Sequence, residues 1–277
     1  LAPDRLRLRP GSTVRPAVPG VGEGSRRVIT KVESAPRYVG APEAAPVKAP
    51  APFLIQFWRS AVGKKWVMAI TGIMLIGFVF GHMVGNLKIY LGAEALDHYA
   101  EWLRTIGYPA LPKTAFLWIT RTGLLAAVVL HIWAAVSLTR MNHAARPVKY
   151  QSSRDYVAAN YAARTMRWTG VIVLAFIIFH LLDLTWGTTN PDFVKGAVYD
   201  NVVASFQRVP VAIAYIVANL ALAFHLFHGS WSMFQSLGWN NPRWNSARRY
   251  FAIGLASIIA IGNVSIPLLV VTGVVGK

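Results

Sequence analysis

Histidine is the residue type that carries chemistry in this sequence. Of the seven histidines, His98 and His143 fall among polar residues, whereas His82, His131, His180, His225 and His228 fall inside long apolar runs. A titratable, metal-ligating side chain is costly in such a run and is usually there to do something. The bland reading is a histidine that hydrogen-bonds a neighbouring helix and nothing more. That reading suits one isolated histidine, but not one in each of four consecutive runs. Cysteine is absent, which removes thiolate nucleophiles, disulfides and any iron–sulfur cluster ligated wholly by this chain.

The elements that must position these histidines are five apolar runs, over about 66–87, 114–138, 168–186, 210–237 and 250–275. Each reaches the roughly 20 residues that a helix needs to span a bilayer. Trp66, Trp118, Trp168 and Trp186 sit near run ends, where aromatic belts form. Only 14% of residues are charged and 55% are hydrophobic, against about 25% charged in a soluble domain. The expected fold is therefore all-α and integral to the membrane, a five-transmembrane-helix up–down bundle over residues 58–277. Residues 1–57, rich in Pro, Ala and Arg, read as an extended arm. The first 50 residues show no apolar segment of the secretory-signal kind.

The net charge of +17 is distributed unevenly. Residues 1–65 hold twelve Lys and Arg against four acids. The second loop carries Arg140, Arg146, Lys149, Arg154, Arg164 and Arg167 against Asp155, and the fourth carries Arg243, Arg248 and Arg249 with no acid. In the first loop Lys88, Arg104 and Lys113 are balanced by Glu94, Asp97 and Glu101, and in the third Lys195 and Arg208 by Asp192 and Asp200. By the positive-inside rule the N-terminus is cytoplasmic and the C-terminus outside. Charge confined to alternate loops, with no stacking platform or reading helix, argues against nucleic acid.

Depth sorts the histidines. At 1.5 Å per residue, His82 is roughly 24 Å and His180 roughly 18 Å from the cytoplasmic start of their runs. His131 and His225 arrive from the other side and stop about 5 and 7 Å short of the cytoplasmic edge of a 30 Å core. The first and third runs thus share an outer pair, the second and fourth an inner pair. Two histidines at one depth on different helices suit bis-histidine ligation of haem iron, one from each face. Gly81, Gly85, Gly123 and Gly229 lie near these positions and would admit a flat ring, although glycines also serve plain helix packing. Arg121, a charge within the second run, needs an anion: a cofactor propionate, Asp183, or a snorkelled place at the interface. His228 lies three residues after His225, on nearly the same helix face, and could replace it as ligand, line a quinone pocket or meet a partner.

Three stretches carry a family resemblance. They are GKKWVMAITGIMLIGFVFGHMVGNLKIYLGAEALDHYAEWLR over residues 63–104, the L-H-x-W-x-A pattern at His131 with F-H-L-L-D at His180, and FHLFHGSWSMFQSLGW over residues 224–239. Over about residues 58–275 the chain resembles the single-chain, five-helix cytochrome b membrane anchor of succinate dehydrogenase or fumarate reductase, respiratory complex II. The resemblance implies two haem b groups, a distal one on His82 and His180 and a proximal one on His131 and His225. It also implies an iron–sulfur subunit and an FAD flavoprotein subunit on the cytoplasmic face of a bacterial inner membrane. Electrons would pass through the anchor to a quinone, with no succinate site on this chain.

His228 departs from that pattern. Five intramembrane histidines for four ligand positions leave a second arrangement open, a Rieske-type [2Fe–2S] cluster completed by a partner's cysteines, with His225 and His228, or His228 and His131, as ligands. Two other functions compete: a stand-alone di-haem b-type electron carrier, and a transporter or proton channel with histidine relays. Against the last, the sequence is read as having no internal repeat and no pair of broken helices. Quinone candidates are Tyr99, His98, Glu101, Arg104 and Asp183 on the outer side, and Trp58, Ser60, His228 and Trp231 on the inner side.

Overall fold

The computed structural model describes residues 51–145, 157–239 and 241–276, with side chains from 165 onward in the second stretch. The described residues form helices α1 (Phe53–Arg59), α2 (Ala61–Asn86), α3 (Ala93–Thr105), α4 (Ala115–Ala144), α5 (Val157–Leu184), α6 (Val198–Gln207), α7 (Val209–Ser236) and α8 (Asn245–Val271). Short 3-10 turns at Leu87–Leu91 and Pro242–Trp244 extend α2 and precede α8. Five of these helices, α2, α4, α5, α7 and α8, are long and apolar enough to cross a membrane. They coincide with the five apolar runs, and the chain is a multi-pass, all-helical membrane protein.

The helices outrun the apolar runs. α2 starts at Ala61 because Ser60 caps it, its Oγ accepting from the Gly63 amide at 2.9 Å. α4 continues past Leu138 to Ala144 through Thr-Arg-Met-Asn-His. Hydropathy marks where the chain is apolar; helix persists into polar residues of adequate propensity at the interface.

The first 50 residues of the expected arm lie outside the described residues, as do Arg146, Lys149, Arg154 and Asp155 of the second loop. The end of that arm is not extended: Phe53–Arg59 forms α1, with Phe53 and Phe57 stacked at 6.2 Å across one turn. The i, i+4 aromatic pair supports a helix that composition alone concealed.

Residues read as loops also carry two further helices. α3 and α6 lie together at one end of the bundle, here termed the capped end, where Asp97 of α3 accepts from the Tyr199 amide in the first turn of α6 at 2.9 Å. Asn201 holds the segment before α6, accepting from the Val194 amide at 2.8 Å and donating to the Val194 carbonyl at 2.7 Å. The opposite, basic end holds Arg59, Lys64, Lys65, Arg140, Arg167, Arg243, Arg248 and Arg249. There Trp58 of α1 stacks on Trp133 of α4 at 5.0 Å, and the Lys64 ammonium lies 5.9 Å from the same ring.

α2 packs along α4, α5 along α7, and α7 along α8, with α2 joining the two halves through α7 and α8. α7 and α8 are the most enclosed spans; α4 and α5 turn most of their apolar surface outward, with Leu125 and Val171 largely exposed. Outward apolar side chains are what lipid requires, and burial concentrates where helices meet. One cluster joins Met83, Leu226, Ala256 and Ile259; another, at the capped end, joins Ile89, Leu96, Phe206, Tyr215 and Ile266.

Gly85 is fixed by close approach. A methyl there would lie 2.6 Å from Cε1 of Tyr99, so α3 rests directly on the α2 backbone. Gly85→Ala is expected to cost about 1–3 kcal/mol by overpacking. Gly81→Ala, where a methyl meets nothing within 4 Å, should be close to neutral; thermal unfolding of the two purified variants checks the contrast.

Candidate functional site

Four spans bring four histidines together in two pairs. His82 of α2 faces His180 of α5, with ring centroids 5.9 Å apart and planes at 84°. His131 of α4 faces His225 of α7 at 6.4 Å and 61°. The backbones in extended contact are α2 with α4 and α5 with α7, so each histidine pair reaches across from one helix pair to the other. Thr71 touches His131 and lies 11 residues before His82 on α2; Thr169 touches His225 and lies 11 residues before His180 on α5. Both helices therefore separate the two levels by about 16 Å.

The hydrogen bonds select one nitrogen of each ring. The Thr71 hydroxyl donates to the Val67 carbonyl at 2.7 Å, so towards His131 Nδ1, 3.1 Å away, it acts as acceptor. Thr169 donates to the Thr165 carbonyl at 2.8 Å and accepts from His225 Nδ1 at 3.3 Å. Tyr215 donates to Asp183 at 3.0 Å and accepts from His180 Nδ1 at 3.4 Å. In all three rings Nδ1 carries the proton and Nε2 keeps its lone pair. A metal-ligating histidine has this arrangement, one nitrogen tied to an outer acceptor and the other free.

The pairs meet a dimensional test for a shared metal. Two metal–nitrogen bonds of about 2.0–2.1 Å plus the half-widths of two imidazoles come to about 6 Å, and the observed separations bracket that value. Among the described residues, no group of three or more His, Cys, Asp or Glu side chains could enclose a metal. Each pair offers two histidine nitrogens from different helices.

The second helix pair repeats the first, against the expectation of no internal repeat. α2 and α5 share Thr-Gly-x5-Phe-x3-His, over residues 71–82 and 169–180. Each element of the repeat has the same place. Phe78 lies 5.2 Å from His82, and Phe176 lies 5.7 Å from His180. A methyl at Gly72 would meet His131 Cε1 at 3.6 Å, and one at Gly170 would meet His225 Cε1 at 3.6 Å. Both copies run in the same direction through the bundle, unlike the inverted repeats of many transporters. Single-residue reasoning missed this repeat, and with it Thr71 and Thr169; aligning the runs on their histidines would have found it.

The capped end adds a buried network. Asp183 is fully buried and ion-paired with Arg208 at 2.6 Å. It also accepts from Ser205, from Tyr215 at 3.0 Å and from Thr189 at 3.4 Å. This corrects two expectations. Asp183 pairs with Arg208 and not with Arg121, because the segment between α5 and α6 folds back over the end of α5. Sealed on all sides, its carboxylate is also out of a quinone's reach. Arg121 instead lies exposed over the Trp118 ring at 5.3 Å.

The remaining candidates divide between the ends. Tyr99 stacks on Trp102 at 5.8 Å beneath the Lys88 ammonium, and together with His98 these residues line a cleft of about 370 Å³. Glu101 and Arg104 line a shallow neighbouring cavity of about 610 Å³. At the basic end Ser60 is occupied as the α2 cap, its hydroxyl donating to the Phe57 carbonyl at 2.6 Å. Trp231 receives the Arg248 guanidinium at 5.9 Å. His228 rests against Phe227 at 5.0 Å, while the ring facing His225 is that of His131. His228 also lies near enough to His225 to interact with it electrostatically.

Residues 159–264 match the family model of the succinate dehydrogenase/fumarate reductase transmembrane subunit. Over that segment, which is less than half of its length, the chain is similar to this family. The matched segment contains His180, Asp183, Arg208, Tyr215, His225 and His228; the repeat extends the same design to His82 and His131. No curated protein matches the chain, and no solved structure does.

Proposed function

We propose that this chain anchors the iron–sulfur and flavoprotein subunits of succinate dehydrogenase to the membrane and passes their electrons to a quinone. Two haem b groups would be held within it, one by His82 and His180, the other by His131 and His225. The carrying observation is the two cross-helix pairs at 5.9 and 6.4 Å. Haem supplies reversible one-electron chemistry when bound. The residues of the chain fix two axial nitrogens per level, set the imidazole tautomers through Thr71, Thr169 and Tyr215, and exclude water with apolar spans. The loop charges support a cytoplasmic N-terminus in a bacterial inner membrane, so the basic end is the docking face and its His131/His225 level the entry point. Succinate would be oxidised on the partner.

The quinone head is assigned to the cleft of Lys88, His98, Tyr99 and Trp102. At about 370 Å³ it lies within the usual 300–1,000 Å³ of small-molecule sites. Tyr99 sits on the α2 backbone at Gly85, one turn from His82. Tyr99→Phe is expected to raise the KM for quinone several-fold with the haem spectrum unchanged. An unchanged KM would remove the cleft from consideration.

A reduced-minus-oxidised visible spectrum of the purified complex, with pyridine haemochromogen and iron quantitation, tests the cofactor assignment. Two haems b per chain are expected. No haem, with iron in excess of the soluble clusters, would replace the di-haem reading with a histidine-ligated iron–sulfur centre. Haem in a chain that purifies without partners would favour the stand-alone carrier.

A further inference from the structure

The two levels of histidines have chemically different surroundings. At the basic level, His131 and His225 each rest on a threonine whose proton is committed to a backbone carbonyl. Those acceptors are neutral. At the capped level, the acceptor for His180 Nδ1 is a phenol whose own proton goes to a buried carboxylate.

We propose that Tyr215 is a positioning residue for His180, transmitting the negative charge of Asp183 to the imidazole and thereby lowering the reduction potential of the centre held by His82 and His180. The inference rests on the cofactor reading above. Tyr215 is only 4% exposed, and Phe176, Phe179 and Phe206 hold its ring at centroid distances of 5.0, 5.9 and 4.7 Å. Its hydroxyl is thus fixed between His180 and Asp183.

The carboxylate divides its two oxygens. Oδ1 takes Arg208 and Thr189, while Oδ2 takes Ser205 and Tyr215. Arg208 pairs with Oδ1, which turns the negative end of the ion pair, Oδ2, towards the phenol. The Tyr215–His180 contact, at 3.4 Å, is longer than the threonine contacts at 3.1 and 3.3 Å. The difference between the levels therefore lies in the charge behind the acceptor and not in a shorter hydrogen bond. Hydrogen bonds in series polarise one another in a low-dielectric interior. An outer-shell anion makes a histidine the more electron-rich ligand, and such a ligand favours the oxidised metal.

The test is Tyr215→Phe in the assembled complex, read by potentiometric titration with visible and electron paramagnetic resonance detection. Phenylalanine keeps the three ring contacts and removes only the hydroxyl. The wild-type complex should titrate in two steps. The variant should shift one step to higher potential and change the resonance of that centre alone. Thr169→Val, which removes the hydroxyl beside His225 Nδ1 and leaves the Met166 carbonyl as its acceptor, should move the other step. The proposal fails if Tyr215→Phe moves neither step, or moves the same step as Thr169→Val. A membrane subunit with no redox centre at all would overturn the cofactor reading and this proposal with it. That result is distinct from centres that are present at unshifted potentials.

Discussion

Under the proposed assignment, His180→Ala is expected to remove one of two intramembrane redox centres and to leave the other in place. The His82 ring faces His180 at 5.9 Å, while His131 and His225 face each other on the other level, about 16 Å away along α2 and α5. Without His180, the proposed centre would keep only His82 at that level, and its occupancy should fall. Haem content should fall to about half, and the surviving centre should titrate close to its wild-type potential. Electron delivery to quinone should fall by more than the roughly 10–100-fold that follows the loss of an outer-shell partner. His228→Ala should keep both centres, because His228 lies against Phe227 and not in either pair. Quantifying haem in the two variants decides the matter: equal losses would refute the pairing seen in the structure.

Arg208→Ala is expected to destabilise the subunit by about 3–5 kcal/mol, the usual consequence of leaving a buried charge without its partner. Asp183 is fully buried and Arg208 is 28% exposed, so solvent does little to screen a carboxylate stripped of its guanidinium. The Asp183→Asn single change should cost less, since an amide can keep accepting from Ser205 and Tyr215. Combining Arg208→Met with Asp183→Leu should recover much of the loss, because apolar replacement of a whole buried pair is often close to neutral. Thermal unfolding of the wild type and the three variants measures each of these outcomes. A single Arg208→Ala variant as stable as the wild type would show that the pair bears no load in the fold.

The histidine depths were legible because helix rise is nearly constant, and counting residues from an apolar boundary locates a side chain within a turn. That count grouped His82 with His180 and His131 with His225, and the structure brings the same rings into edge contact at 5.9 and 6.4 Å. The count says nothing about what stands behind each ring. Thr71 and Thr169 look like ordinary polar residues in apolar helices until their hydroxyls are seen against Nδ1 of a histidine on another helix. Arg208 and Asp183 are 25 residues apart, with a loop and α6 between them. No periodicity links them, and pairing Asp183 with Arg121 was as reasonable on sequence grounds.

The sequence by itself determined the membrane setting and the number of spans. Each follows from local quantities: run length and loop charge. The tertiary structure decided which nitrogen is free in His131, His180 and His225, which arginine pairs with Asp183, and that α3 and α6 cover one end of the bundle. Those outcomes depend on side chains from distant segments meeting in three dimensions. A bilayer supplies the apolar environment that hydropathy detects, whereas hydrogen-bond partners are chosen by packing angle and loop path. Neither of those is written in composition.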